Sequence, residues 1–322
     1  MRRPPPALAL FVLAPFVAEV LTTSTPIGTF VLPWTLLFEG TLYGGGALLV
    51  REFLHASRTR ASGGGLAALV VLGAAYGIFE EALLVRSWFA PDFLAEHQDY
   101  SRVWQTSILQ AVHLTLFHAT VSIGVSIAVV ELLYPSHRDR PWAGPRLRRL
   151  AWMGLGGLAL FTLAVPGAFF PVAWPQVLTG YALVAVLIWL APRLPGGWPQ
   201  PTRPGRRWWR LAAELFVWFT AHFVIVWSAP GLQIPWPAAV LLSLVPAVIA
   251  WRRVPRLLPE RPVEQWLGCI VGLTAPLLLV LVLVGAGGAW GQLAVAALGI
   301  GLLVWLARAA RAQVQPAAGR ST

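Results

Sequence analysis

The sequence predicts an all-α, polytopic integral membrane helix bundle of about ten transmembrane helices with both termini cytoplasmic. Three observations carry this reading. The 322-residue chain is 57% hydrophobic and 11% charged, with a mean hydropathy of +0.68, whereas a soluble domain carries roughly 25% charged residues. The apolar residues gather into runs close to the roughly 20 residues that cross a bilayer core. The arginines behind the net charge of +11, with no lysine among them, fall between those runs. Such scattering excludes a nucleic-acid partner, because short basic loops set topology in a bilayer and do not form one anion-binding face.

The runs are expected at 7–22, 34–50, 64–85, 104–134, 150–170, 174–192, 211–228, 236–251, 264–285 and 288–307. The first follows Arg2 and Arg3 as a signal peptide's would. It has no small-x-small cleavage site and Glu19 interrupts its end, so it reads as a retained helix. The second begins at Trp34 and carries Glu39; the third holds the stretch "GAAYGIFEEALLVRSWF", Gly73 to Phe89. A fourth run of about 31 residues would be about 46 Å long as a helix, more than a core of about 30 Å, so its outer third should protrude. The fifth and sixth flank "PGAFFPVAWPQ", the seventh carries His222, and the eighth follows "PGLQIPWP". The ninth contains Cys269, the single cysteine, which excludes an intrachain disulfide and a cysteine-based metal site. The tenth leads into an arginine-bearing tail.

When alternate loops are taken as inside, every arginine except Arg86 and Arg102 falls on one face. A miscounted helix would scramble that asymmetry, which is the positive-inside pattern of a bacterial-type cell (inner) membrane protein. Trp34, Trp88, Trp104, Trp174 and Trp236 then lie near the outer interface, where indoles are favoured. The chain reads as a single transmembrane domain, 1–322. Its polar candidates concentrate in residues 1–150, four helices, while 151–322, six helices, is largely apolar with His222 the exception.

Glu80 and Glu81 lie in the membrane, four or five residues before the end of the third run and thus roughly 6 to 8 Å below the surface. Gly73, Gly77, Glu80 and Leu84 share one helical face, so Glu80 should point into the bundle where a small-xxx-small pair admits another helix. Glu19, Glu39, His113, His118 and His222 reach the same layer. Intramembrane carboxylates cost roughly 2.5 to 3.5 kcal/mol each and are functional by default. Two of them side by side in low dielectric cannot both ionise easily, which suits a general base, a proton carrier or half of a cation site. The bland readings sit beside these. Glu19, Glu131 and Glu214 suit snorkelling or ion-pairing, Glu39 shares a face with Tyr43, and His113 and His118, about 140° apart on a helix, do not make a metal-binding i, i+4 pair.

"GIFEEALLVR", "HLTLFHATVS" and "WFTAHFVIV" together resemble the CAAX-protease and bacteriocin-processing family of intramembrane glutamate proteases. The resemblance implies Glu80, Glu81, His118 and His222 as the catalytic set activating a water; beside it, Glu39, His113, Arg86 and Tyr76 are candidate supporting residues, and no metal or cofactor is expected. Four residues separate Glu81 from Arg86 where the family has three, and Leu114 and Val226 replace the family's phenylalanine and asparagine. Three functions stay open: a membrane-embedded peptidase-like hydrolase near the outer face, a proton- or cation-coupled transporter using the same carboxylates, and a non-catalytic membrane component. The expected partners are the lipid bilayer and a membrane-embedded peptide or small solute.

Reporter fusions after Arg60, Arg149, Arg210 and Arg261 should report cytoplasm, and fusions near Asp92, Pro171 and Pro230 the outside. A single loop on the wrong side would break the shared depth of the glutamates and histidines.

Overall fold

The computed structural model describes residues 4–59, 65–90, 100–165, 170–194 and 207–314. The start of the third run at 64, the positions Arg60 and Asp92, and the linker arginines Arg203 and Arg206 lie outside the described residues. The chain is 81% helical and forms an all-α bundle. Among the described residues each of the ten apolar runs is a helix: α1 (Pro6–Val20), α2 (33–59), α3 (Leu66–Leu84), α4 (Ile108–Leu133), α5 (Pro145–Ala164), α6 (Trp174–Arg193), α7 (Trp208–Ser228), α8 (Trp236–Leu257), α9 (Pro262–Ala286) and α10 (Trp290–Val314). Seven of them, α3, α4 and α6 to α10, are long and apolar enough to cross a membrane. Prolines stand in the first turn of α1, α2, α5, α6, α8 and α9, where the missing N–H has no helical partner to lose.

Several helices depart from their expected bounds, α8 and α10 by running on to Leu257 and Val314. α2 continues past residue 50 because Arg51 and Glu52 find partners inside the protein instead of ending the helix. α5 starts at Pro145, so Arg146, Arg148 and Arg149 occupy its first turns. The fourth run does not protrude as helix: its first residues form a tight hairpin, β1 (Arg102–Val103) pairing antiparallel with β2 (Thr106–Ser107), and α4 begins at Ile108. Trp104 and Gln105 turn that hairpin with positive φ, and Trp104 projects 89% exposed.

Bonds between helix ends show how the helices alternate. At one end Thr25 meets Glu39, Arg86 meets the carbonyls of Thr162 and Phe170, Tyr100 meets Ile234, and Gln176 meets Trp104. At the other, Arg51 meets the 137–140 turn, Arg253 meets Glu214, and Gln313 meets Leu132. The first end carries exposed Trp34, Trp104 and Trp174; the second carries most of the arginines.

Burial is uneven in a way that locates the centre. The membrane-length windows of α3 and α4 are 67% and 78% buried, against 17 to 28% for α6, α7, α8 and α10. α3 and α4 are therefore the inner pair, and the exposed leucines, valines and tryptophans of the outer helices form an apolar, lipid-facing surface. One buried cluster joins residues of α1 to α6, α9 and α10. α7 and α8 pack through Leu211, Leu215, Val254 and Leu258.

The inner pair touches where the sequence places its small residues. A Cβ on Gly73 would lie 2.7 Å from Ala119 Cα, and one on Gly77 would lie 2.9 Å from His118 Cβ and 3.3 Å from Thr115 Cα. Backbone meets backbone, which only glycine permits. Gly77→Leu should lower the detergent melting temperature by several degrees, since forcing side-chain volume into packed backbone costs about 1–3 kcal/mol or more. Gly156→Leu, in open space, should leave it unchanged.

Candidate functional site

Four π-helical turns interrupt the inner helices: Phe16–Val20 in α1, Gly40–Gly44 in α2, Phe79–Leu84 in α3 and His118–Val125 in α4. In these turns the backbone bond reaches one residue further, as from Val85 N–H to Glu80 O at 2.8 Å and from Leu21 N–H to Phe16 O at 3.1 Å. Such turns widen a helix and redirect side chains, and they concentrate at functional sites. Here they carry Glu19, Tyr43, Glu80 with Glu81, and His118, and those side chains converge.

His118 sits between the two glutamates. Its Nε2 is hydrogen-bonded to Glu81 Oε1 at 2.7 Å, and its Nδ1 lies 3.1 Å from Glu80 Oε2 without the alignment of a hydrogen bond. Glu80 is 1% exposed and His118 3%. The Tyr43 ring lies near-parallel to the imidazole at 6.2 Å, with Tyr76 at 6.1 Å. The Tyr43 hydroxyl contacts both Glu80 Oε1 and Glu19 Oε1. Thr25 Oγ1 contacts Glu19 Oε2 at 2.9 Å and Glu39 Oε1 at 2.8 Å. On the other side, Ser87 Oγ donates to Glu81 Oε2, and Gln110 Nε2 donates to Ser87 O at 3.2 Å. The result is one chain of polar groups, Glu39, Thr25, Glu19, Tyr43, Glu80, His118, Glu81 and Ser87. It runs from partly exposed Thr25 and Glu19 into the buried core.

Hydrogen-bond bookkeeping shows what this chain of groups demands. A hydroxyl has one hydrogen. Thr25 faces two carboxyl oxygens, so one of them, on Glu19 or Glu39, must itself carry a proton and donate. Tyr43 faces two more, on Glu19 and Glu80, and makes the same demand. A proton on one carboxyl oxygen of each facing pair would complete both sets of bonds. A proton on either Glu80 Oε2 or His118 Nδ1 would make their 3.1 Å approach attractive, because two bare lone pairs at that distance repel.

The other expected residues lie elsewhere. His222 does not join the glutamates: its Nε2 is 3.0 Å from His113 Nδ1, and its Nδ1 is 2.8 Å from Ser243 O. A carbonyl only accepts, so His222 donates from Nδ1, and the pair of imidazoles ties α4, α7 and α8 together. Val226, one turn on, packs in an apolar cluster with Leu109, Ala229 and Ala239. Arg86 stands past the end of α3 with φ +63°, and donates to Phe170 O at 3.1 Å and Thr162 O at 2.8 Å. It caps the carbonyl end of α5, a favourable place for a cation. Tyr76 stays by the centre, its buried hydroxyl without a hydrogen-bond partner. Glu131 pairs with Arg51 and Arg138 at 3.3 and 3.4 Å, and Glu214 pairs with Arg253 and Trp218, not with Arg210.

Against the expectation of no metal, Glu80, Glu81 and His118 offer ligand atoms within 4.8 Å of one another. Both imidazole nitrogens already face carboxylates, so coordination would require His118 to release one. Tyr43, Glu19, Thr25 and Ser87 were not among the expected site residues; the signal for Glu19 was its depth, shared with Glu80, and for Tyr43 its face, shared with Glu39.

A model described as an uncharacterized membrane protein family matches residues 8–315, and the chain belongs to that family. No curated protein and no solved structure matches the chain.

Tyr43→Phe keeps the ring and deletes the hydroxyl that joins Glu19 to Glu80. The buried carboxyl groups left short of a partner should cost about 1–3 kcal/mol, seen as a lower melting temperature of an otherwise folded protein.

Proposed function

With membership of that membrane family as the premise, we propose that the chain is a proton-coupled membrane protein whose Glu80–His118–Glu81 centre binds a proton and exchanges it with one membrane face through Tyr43, Glu19 and Thr25. The observation that carries this reading is the shared-hydrogen pattern of Thr25 and Tyr43. Each hydroxyl can pass on its own hydrogen while accepting the neighbour's, so a proton entering at Glu19 or Glu39 emerges at Glu80 with no group moving far. Intramembrane Glu and His chains of this kind serve proton relays, and His118, with a nitrogen toward each glutamate, can take a proton from one side and release it to the other. This use corresponds to the transporter among the three functions left open by the sequence.

A second reading has one observation in its favour. Glu80 Oε2, His118 Nδ1 and the Tyr76 hydroxyl lie together in the buried core without a well-aligned hydrogen bond, the kind of set that would polarise a water admitted for attack on a peptide bond. That is the hydrolase implied by the resemblance to intramembrane glutamate proteases. Against it, His222 is engaged with His113 instead of completing the catalytic set.

Glu80→Gln separates the readings from a scaffold role. The amide keeps the size and most of the bonding but cannot exchange a proton, so solute-dependent proton uptake in proteoliposomes should fall about 100-fold or more at unchanged melting temperature. Peptide cleavage by the wild type, lost in Glu80→Gln, would establish the hydrolase instead. Full uptake in the variant would leave the centre as packing alone.

A further inference from the structure

Among the described residues α5 packs on α2 and α6 packs on α3, with little contact between α5 and α6 themselves. The gap between them is a groove of about 860 Å³, open on one side, whose lining is apolar apart from Tyr76, Tyr181 and Trp152. Each helix contributes the same length of wall: 46–53 of α2, 72–79 of α3, 152–159 of α5 and 181–188 of α6. Such a stretch rises about 10 Å, so the groove runs with the helices from near the arginine-bearing end toward the middle of the bundle. Trp152 stands at its foot. Tyr76 stands near its head, where the ring lines the groove and also lies 6.1 Å from the His118 ring. Gly156 keeps one wall thin, since a Cβ there would meet nothing within 4 Å.

The foot of the groove is positively charged. Trp152, Leu155, Gly156 and Ala159 form one face of α5 at spacings of three and four, and Arg148 and Arg149 extend that face one turn toward the helix start. Both arginines are exposed. They stand near the start of α5, where no side chain caps the free amides and no acidic residue occupies the first turn. The helix dipole is already positive there, so added cations are disfavoured and an anion relieves both. We propose that the groove binds one acyl chain of an anionic phospholipid from the leaflet at the arginine-bearing end, with its phosphate on Arg148 and Arg149. Arginine forks match phosphate oxygens in pairs, and basic residues at a membrane surface attract anionic lipid. The rise from Arg148 to Ala159 is about 16 Å, close to half of a hydrocarbon core of about 30 Å. A chain anchored at the arginines therefore fills the groove without leaving its own leaflet. The other apolar groove, between α4, α7, α8 and α9, differs in charge, because Arg253 beside it is already paired with Glu214. A chain bound against Tyr76 covers the His118 side of the bundle from the lipid, whatever the glutamate centre does.

Lipid-free protein in detergent is titrated with phosphatidylglycerol and, separately, with phosphatidylcholine carrying the same chains, and bound lipid is counted by native mass spectrometry. One phosphatidylglycerol should bind roughly 10-fold more tightly than phosphatidylcholine. Arg148→Gln with Arg149→Gln should abolish that preference. Arg252→Gln with Arg256→Gln, which removes the same charge from the arginine-bearing end of α8, should preserve it. Gly156→Leu, which fills the groove, should weaken phosphatidylglycerol binding about 5-fold or more. Glycerol phosphate, the anion without the chains, should not displace the lipid. All variants should melt with the wild type in lipid-free detergent, so a folding defect does not account for the losses. Equal binding of the two lipids overturns the proposal. A preference that falls equally in both arginine pairs reflects net charge alone and overturns it too. Binding indifferent to Gly156→Leu puts the lipid outside the groove, and displacement by glycerol phosphate leaves an anion site only; either result overturns the proposal.

Discussion

The close approach of α3 and α4 at Gly73 and Gly77 is the contact on which the rest depends. With Cβ positions already 2.7 to 2.9 Å from the neighbouring helix, the two backbones touch, and the side chains one turn further along cannot avoid each other. Glu80 and Glu81 are those side chains on α3, and His118 is theirs on α4. The pair is also the most buried in the bundle, so the polar groups have only one another to bond. In a lipid environment with no competing water, that isolation forces hydroxyls to share hydrogens and carboxyls to retain them.

The same contact explains what was legible beforehand. The spacing of Gly73, Gly77 and Glu80 needs only the 3.6-residue period to place a carboxylate against a neighbouring helix, and the arginine pattern needs only charge counting to give ten helices. Those two gave Glu80, Glu81 and His118 a shared depth, and left open whether their side chains meet. Tyr43 was harder to read because it seemed to share a face with Glu39 alone. The π turn at Gly40–Gly44 shifts the register inside α2, so Tyr43 turns to Glu19 and Glu80 while Glu39 is left to Thr25. Periodicity assumes one helix type, and four changes of type within four helices defeat it locally.

Two motif residues illustrate the opposite error, similarity in order without similarity in place. His222 follows His118 in sequence as a third motif should, yet its ring is held by Ser243 O and His113. Arg86 has one residue more before it than the comparable pattern, and that residue carries it off the end of α3 to the carbonyls of α5. In both cases the partner was a backbone carbonyl or a neighbouring ring, which no spacing rule reveals.

Arg51 has a mechanical consequence. Its guanidinium reaches the carbonyls of His137, Arg138 and Arg140 as well as Glu131 and Glu52, and it stacks 4.2 Å above Trp142. With that many attachments, α2, α4 and the turn after α4 are riveted into one block. α7 and α8 reach α4 and its leading turn through the His113–His222 and Tyr100–Ile234 bonds. The Arg51 attachments thus fix α2 against α4, and with them the placing of Tyr43 beside His118.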